Sequence, residues 1–383
     1  RLQFFSRCLD ILSEKHYNIF REAEKHMKFG ILTSGGDCAG LNAVIRSIGL
    51  YLLRNVKNAE IVGIPDGYGG LIRGESFPLK REDFEDILSV GGTILHTSRQ
   101  PFKKMTAAEE GGTRLSKMIA NYKKMGLDCL FTLGGAGTHK TAALLSMEGC
   151  NVIGVPKTID NDIYGTDVTF GFRTAVEVVT EAFDRISTTA ASHSRIMLVE
   201  VMGNKAGWLT LHAGIAAGAQ MILIPEIPFS LDAVCNFLSA RLAAGERTTM
   251  VAVAEGAVLD SEVKFKKEQR AFVRTAMGES TVTRHLAEVI GERTGAETRY
   301  SVLGYLQRGG TPCAYDRLLC SRLGGFAAKL AAEGRFGVTA AVCGNSITFN
   351  ALTDIAGKYK FVDPKGEDVQ FARSIGISFG DMA

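Results

Sequence analysis

Asp160 and Asp162 stand two residues apart in the string Pro156-Lys157-Thr158-Ile159-Asp160-Asn161-Asp162, directly after a short apolar run. One carboxylate could take a proton from an attacking hydroxyl while the other helps hold Mg2+. Lys157 beside them, with the hydroxyl of Thr158, suits the negative charge of a phosphate in its transition state. The same content also suits an Asx-turn with solvent-facing acids. Residue types alone do not choose between the two.

Three glycine-bearing turns have the chemistry of phosphate cradles. The first, Thr33-Ser34-Gly35-Gly36-Asp37-Cys38-Ala39-Gly40, leads from an apolar run into a helical stretch. Glycine lets the backbone approach an anion, and a helix start supplies free N–H groups and a favourable dipole. It matches neither the Walker A loop nor the dinucleotide G-x-G-x-x-G. The second, Leu133-Gly134-Gly135-Ala136-Gly137-Thr138, repeats the order of strand, turn and helix. The third, Val90-Gly91-Gly92-Thr93-Ile94-Leu95-His96-Thr97-Ser98-Arg99, ends in a cation suited to a transferring phosphate. A structural tight turn looks like any one of them. Three together, all expected at the carboxyl edge of a sheet where open α/β sheets bind ligands, point to an anionic substrate.

Those turns need strands and helices to hold them, and the chain supplies both in alternation. Strands are expected at Phe29–Thr33, Glu60–Ile64, Cys129–Leu133, Asn151–Val155, Arg195–Val201, Met221–Ile224, Thr249–Ala254 and Arg299–Leu303. Helices are expected at Leu41–Arg54, Lys140–Met147, Arg173–Thr188, Leu209–Ala217, Leu231–Ala243, Ser280–Glu292 and Tyr315–Ala332. Short buried-type strands separated by helices imply parallel sheets covered on both faces. The polar stretch Val258–Glu279, rich in Lys, Arg and Glu, reads as an exposed excursion.

Length and composition narrow the classes further. With 383 residues, 46% of them hydrophobic, the chain can bury a large core and is expected to form two lobes. The 44 Lys and Arg against 41 Asp and Glu leave a net charge of +3, which argues against a general nucleic-acid or membrane-surface binder. No apolar run reaches the length of a membrane span, so a soluble protein is expected. The eight cysteines form no C-x-x-C pair and read as reduced, mostly buried thiols of a cytoplasmic protein. Residues 1–26 stand apart: acids are too dense for a mitochondrial presequence and no signal-peptide hydrophobic stretch is present. They read as an N-terminal extension, non-native or disordered on one reading and a packing helix on the other, with Met27 as the candidate natural start.

Taken in order, the strings TSGGD and PKTIDND resemble the phosphofructokinase family, and the likeness extends over nearly all of Met27–Ala383. Further matching strings are Ser192-His193-Ser194-Arg195, Met202-Gly203-Asn204-Lys205-Ala206-Gly207-Trp208, Pro225-Glu226 and Leu303-Gly304-Tyr305-Leu306-Gln307-Arg308-Gly309-Gly310. The resemblance implies two Rossmann-like three-layer α/β/α lobes with mostly parallel sheets, meeting at a cleft. Residues 27–171 with 307–357 would form the donor lobe, and 172–306 with 358–383 the sugar-phosphate lobe. It implies transfer of a phosphoryl group from ATP, or from pyrophosphate, to the 1-hydroxyl of fructose 6-phosphate, with Mg2+ as cofactor. Asp160 matches the family's base, flanked by Thr158, Asp162 and Lys157 at the reaction centre. Donor contacts would come from Gly36, Tyr68, Arg99, Gln100, Gly137 and Thr138. Sugar contacts would come from Thr158, Asp160, Met202, Gly203, Asn204, Glu226, Tyr305 and Arg308. Arg195 and Arg299 resemble arginines that a neighbouring subunit contributes to the 6-phosphate pocket, which implies a homodimer or homotetramer with shared sites.

Gly137 is the family's donor-selecting position, where glycine leaves room for ATP and Asp is typical of pyrophosphate users. Lys157 occurs in both groups. Several positions depart from the family's pattern. Where the family has GGDGT this chain has GGAGT, so Ala136 replaces the metal-binding Asp and leaves Asp162 as the metal-side carboxylate. Asn204 stands where many members have Arg, Tyr305 replaces a frequent His, and Leu50 argues against the usual nucleotide effector site. The reading is therefore an ATP-dependent kinase, with a pyrophosphate-dependent enzyme and a silent ligand-binding homologue as the alternatives.

Overall fold

The computed structural model describes residues 26–265, 269–270 and 281–381. Apart from His26, the N-terminal extension read from the sequence lies outside these residues. In chain order the strands are β1 (Lys28–Ser34), β2 (Glu60–Ile64), β3 (Phe77–Pro78), β4 (Cys129–Gly134), β5 (Val152–Pro156), β6 (Ile196–Val201), β7 (Met221–Leu223), β8 (Thr249–Ala254), β9 (Thr298–Val302), β10 (Val338–Cys343) and β11 (Ser346–Ala351). The longer helices are α1 (Leu41–Asn55), α2 (Arg114–Lys124), α3 (Ala136–Met147), α4 (Phe172–His193), α5 (Trp208–Ala216), α6 (Leu231–Ala243), α7 (Val282–Thr294), α8 (Ala314–Ala332) and α9 (Glu367–Ser374). Every strand and helix expected above has a counterpart; Glu60–Ile64, Thr249–Ala254 and Leu231–Ala243 keep their expected bounds and the others have shifted ends. No helix among the described residues is long and apolar enough to cross a membrane.

The chain divides into two compact units. The first takes the described residues up to Gly36, then Leu41–Pro156 and Leu318–Gly357. Its seven-stranded sheet has the order β11-β10-β5-β4-β1-β2-β3. The neighbours from β10 to β2 are parallel, while β3 and β11 are antiparallel edges. All residues of β4 are buried, as a central parallel strand with both faces covered requires. The chain leaves β1 toward β2 on one side and leaves β4 toward β5 on the other. The sheet therefore has its topological switch point between β1 and β4, where the register pairs Ser34 with Gly134.

The second unit holds Asp37–Gly40, the described part of Lys157–Arg317, and the chain from Lys358 on. Its sheet, β7-β8-β6-β9, is parallel throughout. Ile196, Leu198, Val251 and Val253 of the sheet pack with Leu238, Leu286 and Ile290 of the helices in one core cluster. The expectation of a solvated excursion from Val258 onward needs correction at its start. Val258 and Leu259 are buried and Leu259 bridges Phe229, because the apolar pair closes the core at the end of β8. Residues 266–268 and 271–280 of that stretch lie outside the described residues.

Helix α4 begins at Gly171, whose φ of 90° and missing side chain leave the helix without a cap of its own. A Cβ there would sit 2.4 Å from the Cys38 sulfur. Asp316, fully buried, supplies the cap from elsewhere in the chain. It accepts from Gly171 N at 3.1 Å, Thr174 N at 2.8 Å and the Thr174 hydroxyl at 2.6 Å. Truncation would leave three buried donors unpaired. Asp316→Ala is expected to lower stability by about 3 kcal/mol, measured as a shift in the urea unfolding midpoint at unchanged slope.

Candidate active site

At the switch point of the first sheet, both glycine turns emerge side by side. The second is tighter than its sequence suggests: Gly135 is the N-cap of α3, and Ala136, Gly137 and Thr138 are its first turn. Gly135 offers no side-chain cap and the turn carries no acid, so the first N–H groups are available to an anion. Thr138 donates to the Ser34 carbonyl at 3.3 Å, tying α3 to the first glycine turn, which contains Gly36. A Cβ at Gly137 would meet nothing within 4 Å. Tyr68, at the start of a short helix (Tyr68–Arg73), is buried and donates to the Thr138 carbonyl at 2.9 Å. Its hydroxyl is thus spent on shaping the turn.

Unlike the first two, the third glycine stretch does not directly follow a strand. It reaches the carboxyl edge through hydrogen bonds instead. Thr33 donates to the His96 carbonyl at 2.7 Å, Gly35 N to Ser98 O at 3.1 Å, and the Asn42 side chain holds Val90, Gly91 and Ile94. Arg99 ends this stretch exposed, and its guanidinium has no partner among the described residues. Gln100 accepts from Arg114 at 2.6 Å.

In the second unit, the acidic turn is pinned by its own middle residue. Asn161 adopts a φ of 50°, which Asn tolerates better than most residues. Its side chain accepts from Thr169 N at 3.0 Å, and the Thr169 hydroxyl donates to the Thr158 carbonyl at 2.7 Å. Thr158 accepts from Asp160 N at 3.1 Å and its hydroxyl also reaches the Asp162 carboxylate. The solvent-facing Asx-turn is thereby excluded: Lys157, Asn161 and Asp162 are buried. Asp160 Oδ1 is buried with no hydrogen-bond partner among the described residues.

Burial first, then the neighbouring Asp162, pushes the Asp160 carboxyl up to about 6, with Arg308 opposing. Burial likewise raises Asp162 and lowers Lys157. A base at Asp160 works only when ionised. The rate is therefore expected to be level above about pH 6 and to fall about tenfold per unit below it, checked by a kcat profile with inert buffers.

The carboxyl edge of the second sheet gathers Met202, Gly203 and Asn204 after β6, Glu226 after β7, and Tyr305 and Arg308 after β9. Met202 N donates to Gln307 at 2.9 Å. Arg308 donates to the Asp37 carbonyl at 3.1 Å and faces Asp160. Tyr305 is exposed. Glu226 already accepts from Gly207 N at 3.0 Å and Val362 N at 2.9 Å. Arg195 and Arg299 lie elsewhere, at the amino edge, both bound to Glu297 at 2.7 and 2.9 Å. The 6 residues of β6 put about 20 Å between that edge and Met202.

A family model described as phosphofructokinase matches residues 28–331. The chain belongs to the phosphofructokinase family. It is 50% identical over 357 residues to an ATP-dependent 6-phosphofructokinase of Spirochaeta thermophila, covering 92% of this chain and 97% of that one. It is 46% identical over 347 residues to a pyrophosphate–fructose 6-phosphate 1-phosphotransferase of Amycolatopsis methanolica, covering 88% and 97%. Among solved structures, Pichia pastoris phosphofructokinase superposes with a TM-score of 0.73 at 32% identity. That match covers 87% of this chain and 36% of the longer yeast chain. The α/β architecture with mostly parallel sheets is thus that of phosphofructokinases.

Two polar residues at the acidic turn were not singled out from the sequence. Asn161 carried a signal, an Asn inside a tight acidic turn. Glu255, which also raises Asp160, carried none, being brought near only by the end of β8. For a metal, no cluster of three or more His, Cys, Asp or Glu is suitably placed among the described residues. Asp162 and the unpartnered oxygen of Asp160 are hard donors that fit Mg2+, which is commonly held by one or two carboxylates plus substrate phosphates.

Proposed function

We propose that this chain transfers the γ-phosphoryl group of ATP to the 1-hydroxyl of fructose 6-phosphate, giving fructose 1,6-bisphosphate in glycolysis. The observation that carries this reading is Asp160, a carboxylate with a buried, unpartnered oxygen and a pKa near 6 in the turn that matches the family's base. The loops of the first unit take the donor: the α3 N–H groups hold phosphates, and Arg99 offsets the charge of the group in transfer. The second unit takes the sugar through Met202, Gly203, Asn204, Glu226, Tyr305 and Arg308. Asp160 removes the hydroxyl proton as that oxygen bonds to the γ-phosphorus and ADP leaves. Lys157, Thr158 and Asp162 hold the turn and its charge around the reacting oxygen. Mg2+, held at Asp162, supplies charge neutralisation of the polyphosphate when bound.

Open space at Gly137 and the ATP-dependent relative support ATP as donor. Steady-state rates with ATP and with pyrophosphate, each beside fructose 6-phosphate and Mg2+, test the choice. A higher kcat/KM for ATP is expected; the reverse order would reassign the donor. The amino-edge placement of Arg195 and Arg299 supports their service in another subunit's sugar site, and we infer a cytoplasmic homodimer or homotetramer on that ground and on the glycolytic role.

A further inference from the structure

The segment Tyr359–Val362, close to the C-terminal end, is bonded to several parts of the second unit at once. Tyr359 forms an antiparallel bridge with Ile163 and its hydroxyl accepts from Lys205 at 3.0 Å. Val362 N donates to Glu226. Lys360 lies between them, half-buried, with every polar group engaged. Its backbone N–H donates to the Asp162 carbonyl at 2.9 Å, and its carbonyl accepts from the Trp208 indole at 3.1 Å. Its ammonium donates to the carbonyls of Thr166 at 2.9 Å and Asp167 at 2.7 Å.

The Asp167 carbonyl also accepts from the Asn161 side chain, at 3.4 Å. Lys360 therefore holds both ends of the loop 162–167, and shares an acceptor with the residue that sits between Asp160 and Asp162. Hydrogen bonds from an ammonium are roughly twice as strong as neutral ones. None of these bonds forms part of the apolar core, so a side chain of similar length could keep the packing and lose only the hold.

We propose that Lys360 is a positioning residue for phosphoryl transfer, fixing the loop 162–167 and through Asn161 the aim of Asp160 and Asp162. The proposal rests on the acidic turn being the reaction centre. Small misplacements of reacting groups cost rate far more than affinity.

The test uses Lys360→Met, which keeps the stem, and Lys360→Arg, which restores a cation able to serve two carbonyls. Lys360→Met is expected to lower kcat by about 10- to 100-fold, with KM for ATP and for fructose 6-phosphate within about threefold. Lys360→Arg is expected to recover most of kcat. Trp208 is the only tryptophan of the chain, and the Lys360 ammonium lies 5.6 Å from its ring centroid. Its emission should shift in the Met variant and return in the Arg variant. Wild-type kcat in Lys360→Met would overturn the proposal. So would equal losses in both variants alongside a lowered melting temperature, which mark a merely structural lysine.

An inactive wild-type chain would instead count against the proposed function. The hold on the loop is then judged by amide hydrogen exchange at residues 160–169. Exchange about tenfold or more faster in the Met variant alone supports the proposal, and unchanged exchange overturns it.

Discussion

Asp160→Asn is expected to lower kcat by about 10²- to 10⁴-fold while leaving fructose 6-phosphate binding within a few-fold of wild type. The substitution keeps the size and shape of the side chain and removes its charge, and with it the capacity to take a proton. Asp160 Oδ1 has no hydrogen-bond partner to lose, so the turn held by Asn161, Thr158 and Thr169 has no reason to move. Stability should move the other way. Burial raises the Asp160 carboxyl from an ordinary 3.8 to about 6, so between those values the folded chain binds its proton more tightly than the unfolded one. Folding stability from this group is thus full below pH 4 and declines as pH rises through 6. A neutral amide escapes that loss. At pH 7 the Asn variant should melt at or above the wild-type temperature while turning over far more slowly. A parallel fall in stability and rate would mean that Asp160 serves the fold and not the reaction.

Ala136→Asp is expected to raise the Mg2+-dependent kcat on the order of 10²-fold. Position 136 opens α3 beside the open space at Gly137, and no acid occupies that first turn. A methyl group cannot ligate a hard cation, and a missing charge contact in a transition state is worth several kcal/mol at about 1.4 kcal/mol per decade. An acid at the first position of a helix also adds about 0.3–1 kcal/mol of stability through the dipole. The gain should appear only with Mg2+ present, since without it the new carboxylate repels the polyphosphate. Unchanged turnover in the variant would show that Ala136 is not what limits the chain.

The βα alternation was legible because buried parallel strands are short, apolar and punctuated by glycine. What was not read divides into two kinds. The hairpin β10–β11 carried its signal, Gly344 and Asn345 between two runs of strand-forming residues, with Cys343 paired to Ser346. Helix α2 likewise carried Leu115, Met118 and Tyr122 on one buried face behind a Thr113 cap. The start of α3 was misplaced by four residues because Gly137 disfavours a helix interior, although its first turn is where the free N–H groups are most useful. Other features had no local signal. The short helix at Tyr68 contains two glycines and exists through packing, and the Asp316 cap joins residues 142 to 145 apart in sequence. At the site, motif spacing located Asp160, whereas its unpartnered oxygen and the engaged Glu226 depend on side-chain packing that spacing does not encode.

The most direct test of Asp160-centred transfer is the product formed by the wild-type chain with ATP, Mg2+ and fructose 6-phosphate, followed by phosphorus NMR. The expected spectrum loses the γ-phosphate of ATP and gains ADP and a new ester at the sugar 1-position, at a rate that Asp160→Asn abolishes to within about 1% of wild type. Fructose 6-phosphate that binds but gains no second phosphate, or an ester that forms undiminished in the Asn variant, would contradict it.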